Sequence, residues 1–90
     1  MLTPTTNDAE ALALAAMAAT LTDERRARRF LDLTGLEVYQ LRDRAVAGDR
    51  SLLAATIAFL ESHEPDLLAV AGAIGSSPAQ LVAARGILEA

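Results

Sequence analysis

Apolar residues recur along this chain at the spacing of α-helices, and no segment alternates apolar and polar residues long enough to predict a β-strand. The apolar runs are separated by Gly, Pro and residues of the helix-capping type, which divide the chain into short segments. The pattern therefore predicts an all-α domain, folded as a compact bundle of five or six short helices.

Capping residues predict where the first two helices begin and end. Asn7 is the predicted N-cap of helix 1, with Glu10 three residues later closing a capping box, and this helix runs to about Thr20. Thr22 is the predicted N-cap of helix 2, and Gly35 ends that helix because glycine tolerates a left-handed backbone.

The remaining boundaries come from Gly, Pro, Asp and Ser residues. They are Glu37 and Gly48 around helix 3, Asp49 and Ser62 around helix 4, Pro65 and Gly75 around helix 5, and Ser77 with Pro78 and Gln80 at the start of helix 6. These boundaries leave residues 1–6 as a flexible N-terminal tail and residues 7–90 as a single helical domain.

Helices 1 and 4 are apolar on every side, over residues 12–19 and 52–60. A helix without a polar face is usually surrounded by other helices or lies at an interface. We interpret these two helices as a buried core pair. The alternative is a contact between subunits, because a chain of this length leaves much of its surface exposed, and this alternative predicts a homodimer.

A weak internal repeat relates the two halves of the chain. A shift of 40 residues places helix 1 on helix 4, Gly35 on Gly75, and the pair Gln40-Leu41 on Gln80-Leu81. Few residues are identical, but the order of helix, helix, glycine and helix is the same in both halves. The chain is therefore interpreted as a pseudo-repeat of two three-helix units.

Composition narrows the class of protein. The 90 residues carry a net charge of −4, are 52% hydrophobic and include no Cys. The chain is too apolar for intrinsic disorder and too acidic for a dedicated non-specific nucleic-acid binder, and it has no disulfides or thiolate chemistry. The Ala, Leu and Arg enrichment without Lys is typical of a bacterial gene of high GC content.

The expected location is the cytoplasm, with no membrane contact. Residues 1–10 contain Asp8 and Glu10 and no basic side chain, whereas a secretory signal begins with basic residues. The uncharged apolar stretch over residues 11–21 is about half of the ~20 residues that cross a bilayer.

A specific block of residues resembles a known family. The stretch Phe30-Leu31-Asp32-Leu33-Thr34-Gly35-Leu36, followed by Leu41-Arg42-Asp43-Arg44-Ala45, is similar to a family of short bacterial proteins known only as a domain of unknown function, DUF3572. The resemblance covers roughly residues 10–90. It implies a small all-helical fold, and it implies no activity, substrate or site.

Four arginines on helix 2 form the first candidate site. Arg25, Arg26, Arg28 and Arg29 spread over about 160° of one side of a helix. They are either a solvated helix face or a surface that binds an acidic partner protein. We favour the second interpretation because arginine is the more effective cation at interfaces.

Helix-turn-helix spacing occurs twice and gives the alternative function. In that motif a small residue, a Gly four positions later and an aliphatic residue six positions after that allow two helices to pack across each other. One copy ends at Leu81 and offers only Arg85; the other ends at Leu41. The alternative is therefore a divergent nucleic-acid-binding protein whose phosphate contacts are Arg42, Arg44 and Arg50.

Catalytic chemistry has little support. His63 is the only histidine, so it cannot complete a usual zinc site, and the serines at 51, 76 and 77 lie at predicted helix starts. We predict no catalytic residue, no metal and no cofactor. The favoured function is a small, non-enzymatic protein–protein interaction module that self-associates and binds an unidentified protein partner.

Overall fold

The computed structural model describes residues 4–90 as six α-helices with no strand in that range. The helices are α1 (Thr6–Thr20), α2 (Glu24–Thr34), α3 (Val38–Val46), α4 (Arg50–Glu61), α5 (Glu64–Ala73) and α6 (Pro78–Glu89). The all-α bundle of short helices is confirmed. Of the predicted tail at residues 1–6, residues 1–3 lie outside the described residues.

Helix α1 begins earlier than the sequence predicted. Its N-cap is Thr5, whose hydroxyl accepts from the Asp8 amide at 3.1 Å, while the Asp8 carboxylate accepts from the Thr5 amide at 2.9 Å. The predicted box of Asn7 and Glu10 is therefore wrong by two residues. The pair Thr5 and Asp8 has the same three-residue spacing and begins the helix before Asn7 can.

The N-cap of α2 is Asp23, whereas the sequence predicted Thr22. The Asp23 carboxylate accepts from the Arg26 amide at 2.9 Å. This hydrogen bond is the main reason that the pKa of Asp23 lies below its ordinary value. Thr22 instead donates its hydroxyl to the Ala19 carbonyl at 2.7 Å and so helps to end α1.

At three other predicted helix boundaries, the predicted residue makes the contact or adopts the backbone conformation expected of it. Asp49 accepts from the Leu52 amide at 3.1 Å at the start of α4, and Ser77 accepts from the Gln80 amide at 3.2 Å at the start of α6. Gly35 follows α2 with a φ of +69°, in the left-handed region.

The start of α6 and the first turn of α5 differ in detail from the prediction. The Gln80 carboxamide accepts from the hydroxyls of Ser76 and Ser77 and does not close a box on a backbone amide. Pro65 is the second residue of α5, after Glu64, and a proline is tolerated there because the first-turn amides have no partner within the helix.

Helices α1 and α4 pack against each other at the centre, and α6 packs along both of them. This confirms the predicted core pair. The largest side chains that are fully buried are Phe30, Leu41, Leu53, Ile57, Leu60, Val70 and Leu81. Thr20 and Thr56 are also buried, and each hydroxyl donates to the carbonyl four residues earlier, so neither leaves an unpaired polar atom in the core.

Burial in the two halves follows the 40-residue shift. Pairs of residues 40 apart are buried at seven positions: Ala13 with Leu53, Ala16 with Thr56, Met17 with Ile57, Ala19 with Phe59, Thr20 with Leu60, Phe30 with Val70, and Leu41 with Leu81. This is the arrangement that a pseudo-repeat of three-helix units predicts. The halves differ in one respect: α6 contacts α4 extensively, whereas its counterpart α3 makes at most marginal contact with α1.

Candidate interaction surface

The four arginines of α2 do not form one continuous surface. Arg26 turns toward the end of α1, where its guanidinium donates to the carbonyls of Ala19 at 2.8 Å and Thr20 at 3.2 Å. The last carbonyls of a helix have no partner within it, and they carry partial negative charge. Arg26 therefore caps α1 and holds α2 against it.

Arg29 joins α2 to α5. Its guanidinium donates to the Asp66 carboxylate at 2.5 Å and lies 5.7 Å from the centre of the Phe59 ring. The Asp66 side chain is largely buried, so the arginine neutralises a carboxylate that would otherwise be costly in that position. Half of the predicted patch is thus occupied by contacts within the fold.

Arg25 and Arg28 remain exposed on α2. Within residues 4–90, neither has a carboxylate within 4 Å. With Glu24 they line a shallow depression of about 280 Å³. These two arginines are the part of the predicted patch that the structure leaves accessible to a partner.

The three arginines of the nucleic-acid alternative do not share a surface. Arg42 and Arg44 are two residues apart on α3, so their side chains leave the helix about 200° apart. Arg50 lies at the start of α4, with its Nε 3.7 Å from a carboxylate oxygen of Glu10 on α1. Phosphate binding needs several cations on one face, and these three do not provide it.

The second copy of the helix-turn-helix spacing has a suitable angle but no available cation. The chain bends by 96° between α5 and α6, within the usual range for that motif. Arg85 on α6, however, donates to both Glu61 and Glu89, and these bonds raise the pKa of its guanidinium. The corner therefore packs two helices together and presents no phosphate-binding face in the described chain.

A groove with a largely apolar lining lies between α1, α2 and α3. It has a volume of about 420 Å³, and apolar side chains line most of it, with one arginine at the edge. The lining residues are Leu14, Met17, Ala18, Leu21, Ala27, Val38, Arg42 and Ala45. Leu14 is 40% exposed and Val38 is 42% exposed, so the groove is open to solvent.

The exposed side of α3 extends this apolar surface. Tyr39 is 60% exposed and Val46 is 73% exposed. Val38, Arg42 and Val46 are spaced at i, i+4 and i+8, which places them in one row along the helix. The helix thus presents two valines and a tyrosine around a single arginine.

In the second half, the two helices that correspond to α1 and α3 contact each other. There α4 and α6 pack directly together, and the Arg85 guanidinium donates to the Glu61 carboxylate at 3.1 Å through a second nitrogen. The corresponding positions of the first half are Ala45 and Leu21, which cannot form an ion pair. The groove is therefore the place where the first half lacks a helix–helix contact that the second half has.

Sequence reasoning missed this groove, although two signals could have found it. One is the row Val38, Arg42 and Val46, which is too apolar for a solvated helix face. The other is the loss of the Glu61–Arg85 pair when the chain is shifted by 40 residues. Both signals become informative only when α1 and α3 are known to make little contact.

Nothing among residues 4–90 forms a metal site. No three His, Asp or Glu side chains in that range are close enough to hold an ion. His63 is the N-cap position of α5 and makes no capping hydrogen bond with its side chain.

No single helix in the described part of the chain is long and apolar enough to cross a membrane. Helices α5 and α6 reach that length and composition only when they are taken together, across the bend between them.

Comparison with known proteins assigns the family. Residues 6–90 match the model of the family described as "Protein of unknown function (DUF3572)". The match covers nearly the whole chain, and the chain therefore belongs to this family. No curated protein and no solved structure matches the chain.

Proposed function

We propose that this domain is a non-enzymatic protein-interaction module that binds its partner in the groove between α1, α2 and α3. The observation that carries the proposal is a set of large apolar side chains exposed side by side: Leu14 on α1 with Val38, Tyr39 and Val46 on α3. Contiguous exposed apolar surface with a polar rim is typical of protein-binding sites.

The charged residues support binding rather than catalysis. In the described chain, the ion pairs of Arg29, Arg50 and Arg85 join helices or lie along one helix. None of these pairs lies in the groove, whose single charged lining residue is Arg42. A largely apolar groove with one cation lacks an acid–base pair but suits the recognition of an apolar surface that carries a carboxylate.

Self-association remains a prediction, but the apolar sides of α1 and α4 no longer support it. The apolar sides of α1 and α4 that suggested a dimer contact pack largely against each other and against α6. A two-fold dimer through the groove would bring Arg42 of each copy close to the same residue of the other, which like-charge repulsion opposes. A different protein is therefore the favoured partner.

Photo-crosslinking in the native host tests the proposal. A photoreactive phenylalanine analogue replaces Val38 in the groove, and in a matched control it replaces Leu68, which is 53% exposed on α5. We expect a defined crosslinked product from position 38 and none from position 68. Equal products at both positions, or none at position 38, would refute the groove as a binding site, and a product of twice the chain mass would identify a homodimer.

A further inference from the structure

We infer that the groove binds an acidic amphipathic helix of a partner protein. The apolar side of that helix packs on Leu14 and Val38, and one of its carboxylates pairs with Arg42 on α3. This inference rests on the proposed function, because it names the partner of the same groove.

The fold favours a helix as the occupant. Residues 4–90 contain no strand, so this part of the chain offers no sheet edge to which a partner could add a strand. Val38 and Val46 flank the groove along one side of α3 with a spacing of eight residues, about two helical turns. In the second half, α6 packs along α4. A partner helix placed on α1 and α3 would supply the same type of contact.

Among the charged residues around the groove, the lining residue Arg42 favours an acidic partner. Helix α1 contributes none, because residues 11–21 are uncharged. Viewed along the axis of α2, the side chain of Glu24 lies about 60° from that of the lining residue Ala27, and the side chain of Arg28 lies about 100° from it. On α3, Arg42 lies in the groove, while Asp43 lies about 100° further round the helix.

Two acids of this region are engaged elsewhere. Asp23 and Asp49 accept backbone hydrogen bonds as the N-caps of α2 and α4. Within the described residues, Arg28 and Arg42 have no carboxylate within 4 Å. A cation in an apolar groove complements a helix that carries Asp or Glu beside its apolar row.

Selection from a displayed library of helical peptides tests the inference without a known partner. The full-length protein is the target, and Val38→Glu is used for counter-selection, so that only peptides bound at the groove are enriched. Val38→Glu is expected to keep its helicity and melting temperature, because Val38 is partly exposed. We expect enriched peptides with apolar residues at i, i+3 or i+4, and i+7, and with Asp or Glu on the flanking positions.

A charge reversal then tests which arginine makes the contact. Arg42→Glu should weaken binding of an enriched peptide about tenfold, as measured by fluorescence anisotropy. Arg44→Glu is the matched control, because Arg44 is exposed on the opposite side of the same helix, and it should leave the affinity within about twofold. Replacing the contacting Glu of the peptide by Arg should restore binding to the Arg42→Glu protein.

The outcomes separate this inference from the proposed function. Peptides that are sensitive to Val38→Glu but basic or uncharged would refute the acidic helix and leave the groove as a binding site. Equal losses for Arg42→Glu and Arg44→Glu would refute the assigned contact. Failure to enrich any peptide sensitive to Val38→Glu, together with no crosslink at position 38, would refute both. Displacement of the peptide by unlabelled copies of this protein would show that the occupant is a second copy.

Discussion

The segments α2–Gly35–α3 and α5–Gly75–α6 have the same turn but different surroundings. Gly35 and Gly75 both have a φ of +69°, and the residue six positions after each, Leu41 or Leu81, is fully buried. Yet α6 packs along two helices, whereas α3 packs along one. The same local geometry therefore gives a closed half and an open half.

Two substitutions between the halves accompany the difference. Ala84 and Leu88 are buried on α6, and the residues at the corresponding positions are Arg44 and Gly48. Arg44 is exposed because a guanidinium cannot enter an apolar contact without a partner. Gly48 lies beyond the end of α3, so that helix is too short to place a side chain there. Side-chain size and helix length therefore differ between the halves although the turn is the same.

The largest expected effect comes from the buried leucines of the two halves. Leu81→Ala should lower the free energy of unfolding by about 4 kcal/mol, because Leu81 is enclosed by α6 and the two central helices. Leu41→Ala should cost less, about 2.5 kcal/mol, because α3 has an open side toward which it can relax. Urea denaturation followed by circular dichroism measures both. Equal losses would mean that the two helices are equally confined.

A milder substitution tests whether the first half opens separately. Phe30 is the one buried residue of α2, and Phe30→Leu should cost about 1.5–2 kcal/mol. We expect amide hydrogen exchange to accelerate in α2 and α3, while α4 and α6 stay protected. Uniform acceleration in all six helices would contradict a separately opening half.

The two turn glycines should respond equally. Gly35→Ala and Gly75→Ala should each cost about 1 kcal/mol, because an alanine is strained at a φ of +69° although the space around it is open. Gly72→Ala is the control: Gly72 lies within α5 with open space around it, so alanine there should raise the melting temperature. Unequal losses at Gly35 and Gly75 would show that tertiary packing contributes to the turn.

The smallest effect concerns the cap of α2. Because the folded-state pKa of Asp23 is lowered, mainly by the Arg26 amide, the unfolded chain binds a proton more readily there. The cap therefore stabilises the fold above the ordinary pKa of an aspartate, and this contribution is lost as the pH falls through that value toward the lowered one. Asp23→Asn should reduce the acid dependence of the urea midpoint. An unchanged dependence would assign it to other carboxylates.

The sequence predicted helix ends correctly where the capping contact joins residues close together in the chain. Asp49, Ser77 and Gly35 end or begin helices through contacts within a few residues, and these were predicted correctly. The start of α1 was wrong because Thr5 and Asn7 are both good caps, and sequence spacing alone does not rank them. Local chemistry thus fixes the number of helices but leaves the choice between neighbouring caps open.

Long-range contacts explain what the sequence could not predict about the candidate site. Arg29 reaches Asp66, which is 37 residues away along the chain, and Arg26 reaches the end of another helix. A helical wheel groups these two with Arg25 and Arg28, since it contains no information on neighbouring helices. The groove was missed for the same reason, because it depends on how far α3 lies from α1.

Helix α2 is attached to the rest of the domain partly through ion pairing, which depends on the salt concentration. This helix buries only Phe30, and charge-assisted hydrogen bonds from Arg26 and Arg29 supply much of the rest of its anchorage. Arg29 is about half exposed, so dissolved ions screen its attraction to Asp66, whereas apolar burial elsewhere is nearly indifferent to such screening. Ionic strength therefore acts on the contact between α2, which forms one wall of the groove, and α5.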